Sequence, residues 1–450
     1  MKNNGNLNGF VWGAATAAFQ IEGATQADGR GESIWDRFAA SPGRVHNGDT
    51  GDPACEHYYR WREDLDLMQS LGLQGYRFSI SWPRVQADGR GPANRKGLDF
   101  YRRLAEGLLE REITPLATLY HWDLPQALQE DGGWASRDVV DRFVEYADIV
   151  FAELGDLVHD WITHNEPWVI AFLGHAYGTK APGAKDWPLA LRAAHHVLLS
   201  HGAVVRRFRE TGYDGRIGIT LDLTVVEPGT PSEEDAAAAR RLDGHHNRWF
   251  LDPVLRGSYP ADMVDLYESR FGPWDAVQEG DLELIAQPLD FLGVNFYRPH
   301  LVVAGSDDLV LEVADLELDA ERTAMGWPIV PASLTKLLVR IKHDYGDVPL
   351  LITENGAAFD DELDGGVVVD DERRVEYVKQ HIEAVERARA EGVDVRGYYV
   401  WSLLDNFEWE FGYGKRFGIV FVDFPTQRRI LKRSALWYRD LIAARSSTRS

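Results

Sequence analysis

At 450 residues, with 44% hydrophobic and 26% charged side chains, the chain has an ordinary globular balance and enough apolar mass for a large core. Its formal net charge of −23 repels phosphate backbones and anionic lipid, which argues against nucleic-acid and membrane-surface partners. A single cysteine, Cys55, excludes intramolecular disulfides.

Residues 1–8 are polar and lack the apolar run of a secretory signal. No later segment approaches the ~18 apolar residues of a membrane span, so the expectation is a cytoplasmic protein. Short apolar runs then alternate with amphipathic ones. The first run, 10–17, is followed by Trp61, Leu65 and Met68 at helical spacing, and the second, 75–82, by Leu98, Tyr101, Ala105 and Leu108. The third and fourth, 113–122 and 158–165, finish in polar residues: His121 and Asp123, then Asn165 and Glu166, with Pro167 stopping the strand. The fifth is 216–223. The sixth, 290–297, ends in Asn295 and Tyr297 and leads into a long connection, 298–331, whose length marks it as functional. The seventh, 349–354, delivers Glu354, and Asn355-Gly356 turns the chain away at once. An acidic stretch, 360–371, reads as a surface loop, and Val375, Val378, Ile382 and Val385 follow at helical spacing. The eighth run, 395–403, carries Trp401, with Asp405 just beyond. Eight strands alternating with helices predict an α/β fold, a single-domain (β/α)8 TIM barrel over residues 1–450. Its chemistry belongs at the carboxyl ends of the strands.

Glu166 or Glu354 alone is as well explained by a cap or an ion pair. Together, at the ends of strands four and seven, they can face one another over the mouth. Two carboxyl groups about 5 Å apart are what a retaining glycosidase requires, one attacking the sugar and one protonating the leaving oxygen. Like charges so close cannot both ionise comfortably, so one starts as the acid. Arg77 is expected at the end of strand two, as a fixed positive charge holding Glu354 ionised, and Tyr297 as a hydrogen-bond donor to the same carboxylate. Trp401 and Trp409 offer flat faces to a sugar ring.

The run Phe10-Val-Trp-Gly-Ala-Ala-Thr-Ala-Ala-Phe-Gln-Ile-Glu-Gly23 resembles the amino-terminal signature of glycoside hydrolase family one, the β-glucosidase family. Tyr76-Arg-Phe-Ser-Ile-Ser-Trp82, Tyr120-His-Trp-Asp-Leu-Pro125, Thr163-His-Asn-Glu-Pro167, Ile352-Thr-Glu-Asn-Gly356 and Trp401-Ser-Leu-Leu-Asp-Asn-Phe-Glu-Trp409 resemble its internal motifs, in order. The resemblance covers about residues 8–440. It implies Glu354 as nucleophile and Glu166 as acid/base. It also implies a sugar held by Gln20, His121, Asn165, Glu408 and Trp409, with Trp327 as an aglycone platform; Trp122, Asn295, Tyr297, Trp401 and Phe417 are further candidates for the substrate site. Glu408 matches the residue that bridges the 4- and 6-hydroxyls of a plain sugar. Members acting on 6-phosphoglycosides have serine there, with a lysine and a tyrosine downstream. This chain has Glu408, Lys415 and Phe417, which disfavours a phosphorylated substrate. Where many bacterial members have asparagine after strand five, Asp222 stands here, a departure on the leaving-group side. Glucosides, galactosides and fucosides all remain open, as does transfer to a sugar rather than water.

His195, His196, His201, His245 and His246 lack the spacing of a zinc site, and Gly174-His-Ala-Tyr-Gly-Thr-Lys180 fails as a phosphate loop. The histidines are read as core or helix-surface residues. The sequence implies no metal, no cofactor and no nucleic-acid or membrane partner, only a small-molecule β-glycoside. It leaves the oligomeric state open.

Overall fold

All eight apolar runs form strands: β1 (Val11–Ala15), β2 (Gly75–Ser79), β3 (Thr114–Tyr120), β4 (Asp160–Asn165), β5 (Arg216–Asp222), β6 (Phe291–Asn295), β7 (Leu350–Asn355) and β8 (Val395–Trp401). The computed structural model describes residues 9–363 and 367–447. The polar segment 1–8 and the centre of the acidic stretch 360–371 lie outside the described residues. The strands pair in parallel and close into a barrel in the order β1-β8-β7-β6-β5-β4-β3-β2. Sequence neighbours are therefore hydrogen-bonded neighbours, and β8 returns to β1.

A closed parallel barrel buries both faces of every strand, which is why these runs read as continuously apolar rather than alternating. Two apolar layers result. Leu116, Ile162, Phe291, Leu351 and Tyr399 fill the interior of the barrel. Ala117, Trp161, Ile217 and Ile352 belong to the larger outer core. There they join Leu65 and Met68 of the helix His57–Ser70, Leu98 and Leu108 of Arg95–Glu110, and Val378 and Ile382 of Glu372–Ala390. These are the helical periodicities seen in the sequence.

Two expectations about the loops need correction. The connection 298–331 contains regular structure: His300–Asp308 pairs antiparallel with Val313–Leu316 and parallel with Val226–Pro228. Its Val and Leu residues serve that three-stranded sheet, which adjoins the barrel at the ends of β5 and β6. Nor is 360–371 simply a surface loop. Asp361 and Asp371 at its two sides are held by the buried Arg374, and Lys432 bridges Asp361 (2.5 Å) to Asp405 (2.7 Å). With Arg416 also on Asp405 at 2.7 Å, this ion network ties the segment after β7 to the one after β8. Among the described residues, no helix is long and apolar enough to cross a membrane.

Candidate active site

The register of the barrel sets the site. Asn165 pairs with Thr220, Asp222 with Asn295, and Asn295 with Glu354. The ends of β4, β5, β6 and β7 therefore stand level around one side of the mouth, and Glu166 follows β4 directly. Glu166 (φ 53°), Trp122 (φ 80°) and Trp409 (φ 49°) adopt left-handed backbone, which costs about 1–3 kcal/mol per residue and clusters at functional sites. Beyond Glu354, a Cβ on Gly356 would sit 1.6 Å from the Trp401 carbonyl oxygen. Only glycine lets the chain leave β7 so close to the end of β8.

Beneath the mouth lies a continuous hydrogen-bonded layer. Arg77 donates from Nη1 to Glu354 Oε1 (2.6 Å) and to the Thr353 carbonyl (3.1 Å), and from Nη2 to Asn165 Oδ1 (2.6 Å). Tyr297 donates its hydroxyl to Glu354 Oε2 at 2.6 Å. Asn295 Nδ2 donates to Glu166 Oε1 (2.6 Å) and Asn165 Oδ1 (3.0 Å), while its own oxygen accepts from Thr353 at 2.8 Å. Arg77 thus occupies the middle of β2 rather than its end. Its length carries the guanidinium to Glu354 through the barrel interior.

Above this layer opens a cavity of about 380 Å³. Of the residues expected at the site, His121, Trp122, Glu166, Tyr297, Trp327, Glu354, Trp401, Glu408, Trp409 and Phe417 line it. Gln20, Asn165, Asn295 and Arg77 do not reach its wall. They stand behind it, Asn165 against His121 (3.2 Å) and Trp122 (2.9 Å), and Gln20 against Asn406 and the Phe407 carbonyl. The aromatic walls are mutually braced. Trp401 and Trp409 each lie nearly parallel to His121 with ring centres 6.0 Å away, and Trp327 packs on Tyr297 at 5.4 Å and Phe417 at 6.1 Å. On the wall itself, His121 Nδ1 and Glu408 Oε2 are buried polar atoms with no protein partner. A ligand bearing several hydroxyls would satisfy them.

Burial pushes both carboxyls upward, unequally. Glu166 is raised well above the usual range by burial first, then by the charges of Asp222 and Glu354, with Asn295 opposing. For Glu354 the upward push of burial is countered by the Arg77 charge and by hydrogen bonds from Tyr297, Arg77 and Asn295. Both shifts are upward, and the rise at Glu354 is the one opposed by Arg77 and Tyr297 through direct hydrogen bonds. Burial also lifts Glu408 to about 8, against the pull of Lys180.

Several wall residues had no place in the sequence reading: Trp168, Thr224, Arg298 and His300, and the Lys180–Glu410 ion pair. Trp168 directly follows the Thr163–Pro167 motif, a signal that was available. His246, expected in the core or on a helix surface, lines the cavity and bonds Asp222 Oδ2 at 3.1 Å. His195, His196 and His201 are buried on the helix Trp187–Thr211. Among the described residues, no group of three or more His, Cys, Asp or Glu is arranged to hold a metal ion.

The sequence profile described as glycosyl hydrolase family 1 matches residues 4–447. A 1,4-beta-D-glucan glucohydrolase of Thermotoga neapolitana is 49% identical over 96% of this chain and 97% of its own. A bifunctional beta-D-glucosidase/beta-D-fucosidase of Bifidobacterium breve is 45% identical over 98% of each. The solved family 1 β-glucosidase of Thermotoga maritima superposes with a TM-score of 0.93 at 48% identity, covering 97% of this chain and 98% of that one.

Proposed function

The chain belongs to glycosyl hydrolase family 1, and on that premise we propose that it is an exo-acting β-glucosidase working with net retention through Glu354 and Glu166. One observation carries the assignment of roles. Arg77 and Tyr297 hydrogen-bond Glu354 and not Glu166, whose own donor is the Asn295 amide. A carboxylate so held is fixed in orientation and charged, as a nucleophile must be.

A terminal β-D-glucosyl unit enters with its ring against Trp401 and Trp409, its hydroxyls paired by Glu408 and His121, which Asn165 and Gln20 back from behind the wall. A Glu354 oxygen attacks the anomeric carbon while the Glu166 proton passes to the glycosidic oxygen, and the leaving alcohol departs. The resulting glycosyl ester on Glu354 is then opened by water, whose proton goes to the Glu166 carboxylate, restoring both groups. Activity is lost as pH falls through the Glu354 pKa, because the nucleophile is neutralised. It is lost as pH rises through the Glu166 pKa, because the acid is spent.

Small β-glucosides and cello-oligosaccharides fit a cavity of this size. The Bifidobacterium relative's name supports β-fucosides as a second substrate class. Lys415 is unsuited to phosphate, since its ammonium is tied to the Ala324 carbonyl at 2.6 Å. A cytoplasmic setting belongs to the same proposal, supported by a single, buried cysteine. The test is covalent trapping. A 2-deoxy-2-fluoroglucoside with a good leaving group should label one peptide, the one bearing Glu354. A label on Glu166 or on neither residue would reject the assignment.

A further inference from the structure

On the leaving-group side of the cavity, the residues of the mouth are charged in a way the two-carboxylate scheme does not use. Thr220 projects into the barrel, its hydroxyl on Thr353 at 3.3 Å. Asp222, two residues on, points to the same side one layer higher, at the level of Asn295. Its carboxylate lines the same cavity as Glu166. Oδ2 is bonded by His246 Nε2 at 3.1 Å, and His246 is clamped face to face against Trp168 with ring centres 4.2 Å apart. Asp222 is thus held in place rather than free to swing into solvent, with only 20% of its side chain exposed.

We propose that Asp222 is a positioning residue for the proton on Glu166: its fixed negative charge keeps that proton in place until the leaving oxygen takes it. Among the described residues, the charged groups facing it include His246, Glu166 itself and Arg298 from the segment after β6. Arg298 is shared with Asp315 and leans over the Trp327 ring at 5.9 Å, while His300 is engaged by Asp315 at 3.0 Å. Burial favours the protonated form of Glu166, and the Asp222 and Glu354 charges act in the same direction. An asparagine at this position would have the same shape without that charge. The consequence is a wider alkaline working range on substrates whose leaving group needs a proton, such as a disaccharide with a sugar alcohol as leaving group.

The inference rests on Glu166 being the acid, and the experiment separates the two. Profiles of kcat/KM against pH on cellobiose are compared for the parent, Asp222→Asn, Asp222→Glu and Glu166→Gln. Asp222→Asn should move the basic limb to lower pH and leave the acidic limb in place. Asp222→Glu, which restores the charge, should return the basic limb towards the parent position. Asp222→Ser, smaller and neutral, gives the same reading as asparagine if the asparagine variant does not fold. A basic limb that coincides in the parent and the neutral variants overturns the role of Asp222, which is then a partner for His246 only. A basic limb that survives unchanged in Glu166→Gln overturns instead the reading of Glu166 as the acid.

Discussion

Replacing Glu166 with alanine separates the acid from the nucleophile, and the structure indicates what else the change does. The Asn295 amide loses an acceptor at 2.6 Å but keeps Asn165 Oδ1 at 3.0 Å, so the buried donor is not left without a partner and the layer beneath should persist. The Glu354 contacts to Arg77 and Tyr297 are untouched. What disappears is the proton for the leaving oxygen, and general acid assistance is worth about 10²–10⁴-fold. For cellobiose, a sugar alcohol must leave and the full loss should appear in kcat/KM. For a dinitrophenyl β-glucoside, whose phenolate leaves unaided, formation of the glycosyl-enzyme should fall less than about tenfold. The basic limb of the pH profile should vanish. The acidic limb should stay in place, because Glu166 is protonated, and so uncharged, in the range where Glu354 titrates. The assay is pre-steady-state release of each leaving group across pH. Equal losses for the two substrates would refute the reasoning.

Further outcomes follow from the same geometry. Tyr297→Phe removes a single donor to Glu354 Oε2. It should move the acidic limb of kcat/KM to higher pH while the basic limb stays, as read by initial rates on a nitrophenyl glucoside. Glu408→Ser removes a side chain that can pair with two sugar hydroxyls, each hydrogen bond worth about 0.5–1.5 kcal/mol. It should lower kcat/KM on the plain glucoside about ten- to a hundredfold, and the parent should prefer the plain glucoside to its 6-phosphate in side-by-side assays. Lys432→Met leaves Asp405 and Asp361 short of a cation in a fully buried network. It should cost about 3–5 kcal/mol of stability in urea titrations, and the barrel-mouth residues should keep their activity in the fraction that remains folded.

The barrel was legible because closure makes each strand a continuous apolar run and each helix an amphipathic one, and these two patterns alternate eight times. The carboxylates were legible because an apolar strand ending in a charged residue has few structural uses. Arg77 was correctly paired with Glu354 but wrongly positioned along its strand. A long side chain acts a turn away from its own backbone, and spacing alone does not reveal that reach. The sheet inside 298–331 was hidden because its pairing partner, Val226–Pro228, is distant in sequence and only three residues long. His246 escaped because its role depends on Asp222 and Trp168, two side chains from other segments that only the folded chain brings against it. Of the residues behind the cavity wall, Gln20 is legible from its motif and Asn295 from its place at the end of an apolar strand. That they are buried rather than on the wall is a property of packing.

The central claim is that Glu354 attacks the sugar directly, so that two displacements at the anomeric carbon restore its configuration. Proton NMR of the first glucose released from a β-glucoside, recorded before mutarotation, tests this most directly. The account predicts the β-anomer as the first-formed product, decaying afterwards to the equilibrium mixture. An initial α-anomer would mean that water, not Glu354, attacks the sugar, and would contradict it.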